Sequence, residues 1–355
     1  AGLRALAAGE PAPGVVPVRA AHPRRGVVFT FSGQGSQWAG MCRDLLAEEP
    51  AFEAAVDALE PEFRSVVGFS LRQVLESGDA LTGIDRIQPV LVGVQLALAA
   101  LWRAYGVVPD AVIGHSMGEV AAAVVAGALT VRDGLTVIAS RSKLMRRSLS
   151  GQGAMALLEL GADDTERLLA DFDGVTVAVL ASPRQTVVAG PPDRVDAVIA
   201  EVTARDLLAR RIEVDVASHH ATVDPILDEL RAALAVLAPR VPSIPLYSTV
   251  RPGETAPVMD ADYWAENLRR PVDFAAAVSA AASAAGTFVE LSPHPILTYA
   301  VDDTLTDVPH ATVGTLVRDG DGTLTFHTAL AAATTAPPPV GVHPPEPHPA
   351  LPPRP

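Results

Sequence analysis

Residues 111–129 read AVIGHSMGEVAAAVVAGAL, and this stretch predicts a strand, a tight turn and a helix in immediate succession. The short apolar run that opens it is typical of a buried strand, and residues 119–129, rich in Ala and Val, are typical of a helix. Gly114 and Gly118 flank Ser116 and permit the sharp turn that holds a serine hydroxyl above the edge of a sheet. Ser116 is therefore a candidate nucleophile, although the same spacing also fits a glycine-flanked turn whose serine caps a helix.

The same order of elements occurs nearer the start of the chain. Residues 26–31 (GVVFTF) predict a short apolar strand that ends at the glycine-rich turn 32–35 (SGQG), and residues 51–60 and 88–105 predict helices. Strands that are continuously apolar and alternate with helices are typical of a parallel sheet. The sequence therefore predicts an α/β fold.

The middle of the chain follows a different order. The predicted elements are a strand at 154–160, a helix at 163–171, a hairpin at 175–190, a helix that begins at Pro191-Pro192, and a strand at 211–216. The order βαββαβ matches a ferredoxin-like split unit. We predict a large α/β subdomain formed by residues 26–153 and 217–330, with residues 154–216 inserted as a small subdomain.

The two ends differ in composition from the middle. Residues 1–25 are rich in Ala, Pro and Arg and do not begin with Met, and residues 331–355 carry repeated prolines. Such tracts favour an extended, semi-rigid chain over helix or sheet. We interpret them as an N-terminal linker and a Pro-rich C-terminal linker of a module from a longer polypeptide.

The overall composition excludes several classes of function. Of the 355 residues, 49% are hydrophobic, which is enough for a packed core and too many for a disordered chain. The 27 basic and 41 acidic residues give a formal net charge of −14, which argues against nucleic acid and anionic membranes as partners. No stretch approaches the roughly 20 uninterrupted apolar residues of a membrane span. The first residues lack the pattern of a secretory signal, and the single cysteine, Cys42, excludes an internal disulfide, so we expect a cytoplasmic protein.

A serine nucleophile needs a general base, and the sequence offers three histidines for this role. His219 and His220 follow the last predicted strand of the inserted unit, and His294 lies in the motif SPHP at 292–295. Active sites of α/β proteins gather at strand ends, which favours the first two, although a pair of surface histidines has the same pattern. No acid stands in an obvious third position, and a backbone carbonyl can orient the imidazole instead.

Arg141 lies one predicted helix after the serine. A guanidinium near a nucleophile would bind a substrate carboxylate through two parallel hydrogen bonds. The spacing alone favours a solvated arginine, because Lys143, Arg146 and Arg147 make this stretch basic.

Together these motifs resemble the acyltransferase domain of modular type I polyketide synthases, kin to the malonyl-CoA:acyl carrier protein transacylases. The segments that carry the resemblance are FSGQGSQW at 31–38, GHSMGE at 114–119, RS at 141–142, VASH at 216–219, NLRRPV at 267–272 and ELSPHP at 290–295. The resemblance covers residues 26–330. The run ASPRQTV at 181–187 and the Pro/His-rich tail are most similar to mycobacterial synthases of methyl-branched envelope lipids, of the phthiocerol and mycocerosic acid type.

The resemblance implies a fold and a set of roles. The fold is an α/β-hydrolase-like large subdomain with a ferredoxin-like small one. Ser116 is the acylated nucleophile, His219 is its base, and Asn267 matches the position whose backbone carbonyl holds the histidine. Arg141 matches the arginine that binds the carboxylate of the extender, which reverses the preference drawn from spacing.

The resemblance also implies an oxyanion hole and a selectivity pocket. The backbone N–H groups of Gln34 and Met117 match the oxyanion hole. Val216, Ser218, Met117 and His115 match positions beside the acyl side chain. Many methylmalonyl-selective relatives carry Tyr where this chain has Val216, and many relatives carry Gln where it has Met117.

The implied reaction moves a methylmalonyl group from coenzyme A through Ser116 to the phosphopantetheine thiol of an acyl carrier protein. Malonyl or ethylmalonyl as the extender, a serine hydrolase or editing thioesterase, and a non-catalytic docking module are the alternatives. The expected partners are the acyl carrier protein and ketosynthase domains of the same synthase. No permanently bound cofactor or metal is expected, because the sequence contains no metal-spaced Cys/His set, phosphate-binding loop or dinucleotide fingerprint.

Overall fold

The computed structural model describes residues 26–334, which form two five-stranded sheets and their covering helices. The strands are β1 Gly26–Phe31, β2 Ala111–Gly114, β3 Ala154–Leu158, β4 Thr176–Ser182, β5 Gln185–Gly190, β6 Ala209–Arg211, β7 Leu246–Tyr247, β8 Val272–Asp273, β9 Ala285–Glu290 and β10 Ala311–Gly314. The α-helices are α1 Arg43–Glu48, α2 Pro50–Val67, α3 Leu71–Ser77, α4 Ile84–Ala104, α5 Gly118–Val125, α6 Val131–Ser148, α7 Ala162–Leu169, α8 Pro192–Ala204, α9 Asp224–Leu234, α10 Ala261–Arg269, α11 Phe274–Ala281, α12 Thr298–Thr304 and α13 Gly322–Ala333.

The larger sheet is parallel, with strand order β10-β9-β1-β2-β7. Its central strands β1 and β2 are apolar except for Thr30, because helices cover both faces of the sheet. Phe31, the last residue of β1, lies opposite Gly114, the last residue of β2. The loops after these two strands therefore leave the same edge of the sheet, side by side. The predicted strands at 26–31 and 111–114 are confirmed.

The smaller sheet has the order β6-β3-β5-β4-β8 and is antiparallel except for the β4–β8 pair. The predicted order βαββαβ is confirmed by β3, α7, β4, β5, α8 and β6. The structure adds β8, which comes from the second part of the large subdomain and pairs with β4. Strand β8 thereby connects the two subdomains through the backbone, in addition to the packing of their side chains.

The predicted strand at 211–216 is wrong, because β6 ends at Arg211. The alternating apolar residues Ile212, Val214 and Val216 suggested a strand with one buried face. In the structure the chain leaves the sheet after the backbone N–H of Ile212 bonds the carbonyl of Met155. The three side chains then line the cavity beside Ser116 instead of a sheet face.

Helix α4 crosses the centre of the large subdomain. It begins at Ile84, four residues before the predicted start at residue 88, and most of its side chains are buried. In the described part of the chain, α4 is the one helix long and apolar enough to span a membrane, and 83% of its most apolar window is buried inside this fold. Burial on all sides explains its composition as that of a core helix.

The boundary predicted for the C-terminal linker is also displaced. Helix α13 continues to Ala333, whereas the linker was expected from residue 331. Phe326 of α13 is fully buried and packs edge-to-face on Trp102 and Tyr105 of the core, with ring centroids 5.3 and 5.2 Å away. This aromatic contact holds the helix against the large subdomain. Residues 1–25, and the proline-rich tract beyond residue 334, lie outside the described residues.

Candidate active site

Ser116 occupies a strained turn between β2 and α5. Its φ angle is 55°, a left-handed conformation that side-chain-bearing residues rarely adopt. The turn is tight on both sides: a Cβ at Gly118 would lie 2.1 Å from the carbonyl oxygen of Phe31, and one at Gly114 would lie 2.2 Å from the backbone nitrogen of Glu119. Both positions therefore require glycine, and the predicted elbow geometry is confirmed.

The side chain of His219 faces this serine. Its Nε2 lies 2.7 Å from Ser116 Oγ, and its own φ angle is 64°. The backbone N–H of His219 donates to the carbonyl of Leu268, and the ring Nδ1 lies 2.9 Å from the carbonyl oxygen of Arg270. With Nδ1 donating to that carbonyl, Nε2 is left as the acceptor of the serine proton.

The group that orients His219 differs in part from the expectation. The resemblance assigned this role to the backbone carbonyl of Asn267, whereas the 2.9 Å contact is made by the carbonyl of Arg270, three residues later. Both carbonyls raise the pKa of His219, and that of Arg270 acts more strongly. The side chain of Asn267 instead contacts Arg141. The C-terminal end of α10 presents the carbonyls of Asn267 and Arg270 to the ring, and a sequence pattern does not specify which one is nearer.

Burial is the main cause of the lowered pKa of His219. The ring is 2% exposed, and desolvation, followed by the positive charge of Arg141, lowers its pKa to about 3. The imidazole is therefore neutral at physiological pH. A neutral ring with a free Nε2 has the form required of a general base.

The other two candidate histidines are bonded elsewhere. His220 Nδ1 accepts the backbone N–H of Thr222 and caps the short 3-10 turn Ala221–Val223. His294 Nδ1 accepts the backbone N–H of Arg318 at 3.1 Å. Of the three histidines, the structure brings His219 to the serine.

Arg141 is buried beside the serine, so the interpretation as a solvated arginine is wrong. Arg141 is 2% exposed. Its Nη1 donates to Asn267 Oδ1 at 2.8 Å, and its Nη2 lies 3.4 Å from Ser116 Oγ. Within residues 26–334 its Nε has no hydrogen-bond partner. Burial lowers the pKa of Arg141 to about 10 and the carboxylate of Glu119 opposes this, so the guanidinium stays charged at neutral pH. Lys143, Arg146 and Arg147, by contrast, are exposed on α6.

Gln34 and Met117 both line the same cavity. Gln34 is in the turn after β1, and Met117 immediately precedes α5. In the described chain, neither backbone N–H donates a hydrogen bond to another residue. Two free N–H groups near a nucleophile, one of them at a helix N-terminus, are the donors that stabilise an oxyanion.

The cavity has a volume of about 100 Å³ and lies between the two subdomains. The small subdomain and the segment after it contribute apolar side chains, namely Met155, Val179, Val187, Ile212, Val214 and Val216. Ser218 and His115 also line it. His115 packs edge-to-face on Phe274, and burial lowers its pKa to about 4. The four residues expected to govern selectivity all face this cavity.

The acyl transferase domain family matches residues 28–339 of this chain. The chain belongs to that family. A polypeptide of the phenolphthiocerol/phthiocerol polyketide synthase of Mycobacterium tuberculosis is 62% identical over 338 residues, which are 95% of this chain and 18% of that relative. The chain thus spans less than a fifth of the relative's length. It is an acyltransferase domain of the polyketide synthase type.

Solved structures of other family members share the fold. The acyltransferase domain of the polyketide synthase PpsC of Mycobacterium tuberculosis is 52% identical with a TM-score of 0.81, and the match covers 90% of this chain and 98% of that one. The acyl transferase domain of SpnD, solved in complex with 2-(pent-4-yn-1-yl)malonyl, is 31% identical with a TM-score of 0.82, and the match covers 93% of this chain and 81% of that one.

The structure adds Glu119 to the site of this acyltransferase, a residue to which sequence reasoning gave no role. It is fully buried and accepts hydrogen bonds from Thr249, Tyr263 and Asn267. Its partners come from distant parts of the chain, so spacing does not reveal them. The one signal in the sequence is that Glu119 is the single charged residue of a helix otherwise made of Gly, Ala and Val. An acid at the start of a helix is usually interpreted as a surface residue that interacts with the helix dipole.

Proposed function

We propose that this acyltransferase transfers a methylmalonyl group from coenzyme A to the phosphopantetheine thiol of an acyl carrier protein, through an ester on Ser116. The observation that carries the proposal is the 2.7 Å contact between Ser116 Oγ and His219 Nε2, in a cavity that also holds a buried guanidinium. The family relationship supports the reaction type.

The first half-reaction forms the acyl-enzyme. Ser116 Oγ attacks the thioester carbonyl of the acyl-CoA while its proton moves to His219 Nε2, and the Arg270 carbonyl stabilises the resulting imidazolium at Nδ1. The negative charge that develops on the carbonyl oxygen is stabilised by the N–H groups of Gln34 and Met117. The carbon–sulfur bond then breaks, and coenzyme A leaves as the thiol with the proton returned by His219.

The second half-reaction reverses these roles. The thiol of the phosphopantetheine arm gives its proton to His219 Nε2 and attacks the ester carbonyl. The bond to Ser116 Oγ breaks, the serine recovers the proton, and the acyl group leaves as a new thioester. The cycle consumes one acyl-CoA and one carrier thiol and needs no oxidant, metal or permanently bound cofactor.

The extender is proposed to be methylmalonyl on grounds of charge and volume. The buried Arg141 favours an acyl group with a free carboxylate, because an unpaired guanidinium in this cavity is costly. The related SpnD domain is bound to a substituted malonyl group, which has such a carboxylate. Ser218 and Val216 leave room for a branch at the acyl α-carbon that larger side chains would fill. Ethylmalonyl is expected to be tolerated, and malonyl to be disfavoured.

The proposed partners follow from the reaction and the relatives. The acceptor is an acyl carrier protein, and the ketosynthase domain of the same synthase consumes the loaded extender. The relatives named above are polyketide synthases or domains of them, which supports this setting. We place the domain in the cytoplasm, in line with its single, buried and unpaired Cys42.

Arg141→Ala tests the substrate assignment. We expect kcat/KM for methylmalonyl-CoA to fall by about 10²-fold or more, since a buried carboxylate loses a charged partner worth roughly 3 kcal/mol. Propionyl-CoA, which has the same carbon branch without the carboxylate, should lose much less. Acyl-enzyme formation is followed by mass spectrometry with both donors, and Arg146→Ala on the exposed face of α6 is the control. Equal losses with the two donors would contradict a carboxylate clamp at Arg141.

A further inference from the structure

Glu119 is a buried carboxylate that takes no part in the steps proposed above. Oε1 accepts the backbone N–H of Thr249 at 2.6 Å and its hydroxyl at 2.8 Å. Oε2 accepts the hydroxyl of Tyr263 at 2.7 Å and Nδ2 of Asn267 at 2.9 Å. Each oxygen thus has at least one donor. Burial raises the pKa of Glu119, and the hydrogen bonds from Thr249, Tyr263 and Asn267 lower it.

The amide of Asn267 connects this carboxylate to the active-site arginine. Its Nδ2 donates to Glu119 and also to the backbone carbonyl of Ser116 at 3.2 Å, and its Oδ1 accepts Nη1 of Arg141 at 2.8 Å. A carboxylate and a carbonyl only accept hydrogen bonds, whereas a guanidinium only donates them. The amide therefore has one allowed orientation, with its NH₂ group towards Glu119 and its oxygen towards Arg141.

The position of the guanidinium depends on that orientation. In the described chain Arg141 Nε is unpartnered, and the remaining contact is the 3.4 Å approach of Nη2 to Ser116 Oγ. The bond to Asn267 Oδ1 is the short one that fixes the side chain. Glu119 also acts on the guanidinium through its charge, which raises the pKa of Arg141 against the effect of burial.

We propose that Glu119 is a positioning residue which, through Asn267, holds Arg141 beside Ser116 and thereby sets the preference for acyl groups that carry a carboxylate. The inference rests on the proposed function, in which Arg141 binds that carboxylate. Glu119 touches neither substrate nor reacting atoms. It acts by determining which atom of Asn267 faces the guanidinium.

Glu119→Gln tests this positioning role with almost no change in side-chain volume. The glutamine NH₂ group must face either the N–H of Thr249 or Nδ2 of Asn267, both of which are donors. If the Asn267 amide turns to relieve the conflict, its NH₂ group faces Arg141 instead. We expect the ratio of kcat/KM for methylmalonyl-CoA to that for propionyl-CoA to fall at least about tenfold, with most of the change in KM for methylmalonyl-CoA.

Tyr263→Phe is the matched control. It removes one hydrogen bond from the same carboxylate but leaves an acceptor that keeps Asn267 in its orientation, so the substrate ratio should change less than about twofold. Thermal unfolding of both variants shows whether their effects on stability are comparable. An unchanged ratio in Glu119→Gln, or an equal fall in Tyr263→Phe, overturns the proposal. If Glu119→Gln is not recovered folded, Glu119→Asp, whose oxygens are withdrawn from Asn267, must lower the ratio severalfold, and an unchanged ratio again overturns it.

Arg141→Ala, measured in parallel, separates this inference from the proposed function. If Arg141→Ala leaves the substrate ratio unchanged, the carboxylate clamp itself is wrong. If Arg141→Ala lowers the ratio and Glu119→Gln does not, the clamp stands and the positioning role of Glu119 is wrong.

Discussion

Ser116 and His219 both hold left-handed backbone conformations, which cost about 1–3 kcal/mol each in residues with side chains. At Ser116 the flanking glycines indicate a sharp turn, which the sequence predicts. At His219 no glycine is present, and the conformation follows from a backbone bond to Leu268 in another element. The same difference explains why the nucleophile was predicted on local pattern, whereas the choice of base needed the family resemblance.

The protonation of His219 gives a testable pH dependence. Its pKa is lowered from 6.5 to about 3, so the neutral, proton-accepting form persists as the pH falls through 6.5 and is lost only near the lowered value. We expect kcat/KM for acylation by methylmalonyl-CoA to stay nearly constant from pH 8 to 5.5. An unshifted imidazole would retain roughly a tenth of its base form at pH 5.5.

The control for that profile is Arg141→Ala, assayed with propionyl-CoA. Because the charge of Arg141 lowers the pKa of His219, its removal should move the acidic limb of the profile to higher pH. A wild-type limb centred near 6.5 would contradict a buried, neutral base.

At the scale of elements, Glu290 links the end of β9 to the start of α12. Its carboxylate accepts the backbone N–H groups of Ile296, Leu297 and Thr298 and the hydroxyl of Ser292. Burial raises the pKa of this carboxyl to about 7, although those four hydrogen bonds lower it. Ile296 also lines the active-site cavity, so this segment shapes the site.

Glu290→Gln should destabilise the domain. An amide nitrogen would face buried N–H donors, and we expect the free energy of unfolding to fall by about 1–3 kcal/mol. Chemical denaturation followed by circular dichroism measures the change. Glu166→Gln on the exposed face of α7 is the matched control and should stay within about 0.5 kcal/mol of wild type. If the two variants are equally stable, the carboxylate does not hold this segment.

Elements with local signals were the predictable ones. Strands β1 and β2 and the hairpin of β4 and β5 follow from short apolar runs and a turn at Pro183-Arg184. The end of β6 and the pairing of β8 were not predictable, because both depend on contacts between subdomains. In residues 212–216 every second residue is apolar, as in a strand with one buried face. Here the pattern arises because these apolar side chains line the cavity.

At the scale of the whole molecule, the two subdomains share one cavity. The large subdomain carries Ser116, Arg141 and His219, and the small one closes over them with apolar side chains. The sequence predicted both units and their order. It did not indicate how much of the cavity lining the small unit supplies, since this depends on how the two sheets are joined.

We therefore expect selectivity for the acyl side chain to depend on the interface between the subdomains. Val216→His combined with Ser218→Phe fills the space beside the acyl α-carbon and should shift a competition between methylmalonyl-CoA and malonyl-CoA towards malonyl. A methyl group in an apolar pocket is worth about 1–3 kcal/mol, so the shift should reach roughly 10–200-fold. Each single variant, measured alone, shows which position contributes more. A wild type that prefers malonyl-CoA at equal concentrations would contradict the volume argument.

In the proposed reaction, Ser116 carries the acyl group between coenzyme A and the carrier protein. Intact-mass spectrometry after incubation with methylmalonyl-CoA, followed by addition of an acyl carrier protein with its phosphopantetheine arm, tests it most directly. Wild type and Ser218→Ala, which removes the other serine hydroxyl of the cavity, should gain the mass of one methylmalonyl group and pass it to the carrier thiol. Ser116→Ala should gain none. Labelling of Ser116→Ala at the wild-type rate, or release of the group as free acid in place of carrier thioester, would contradict the account.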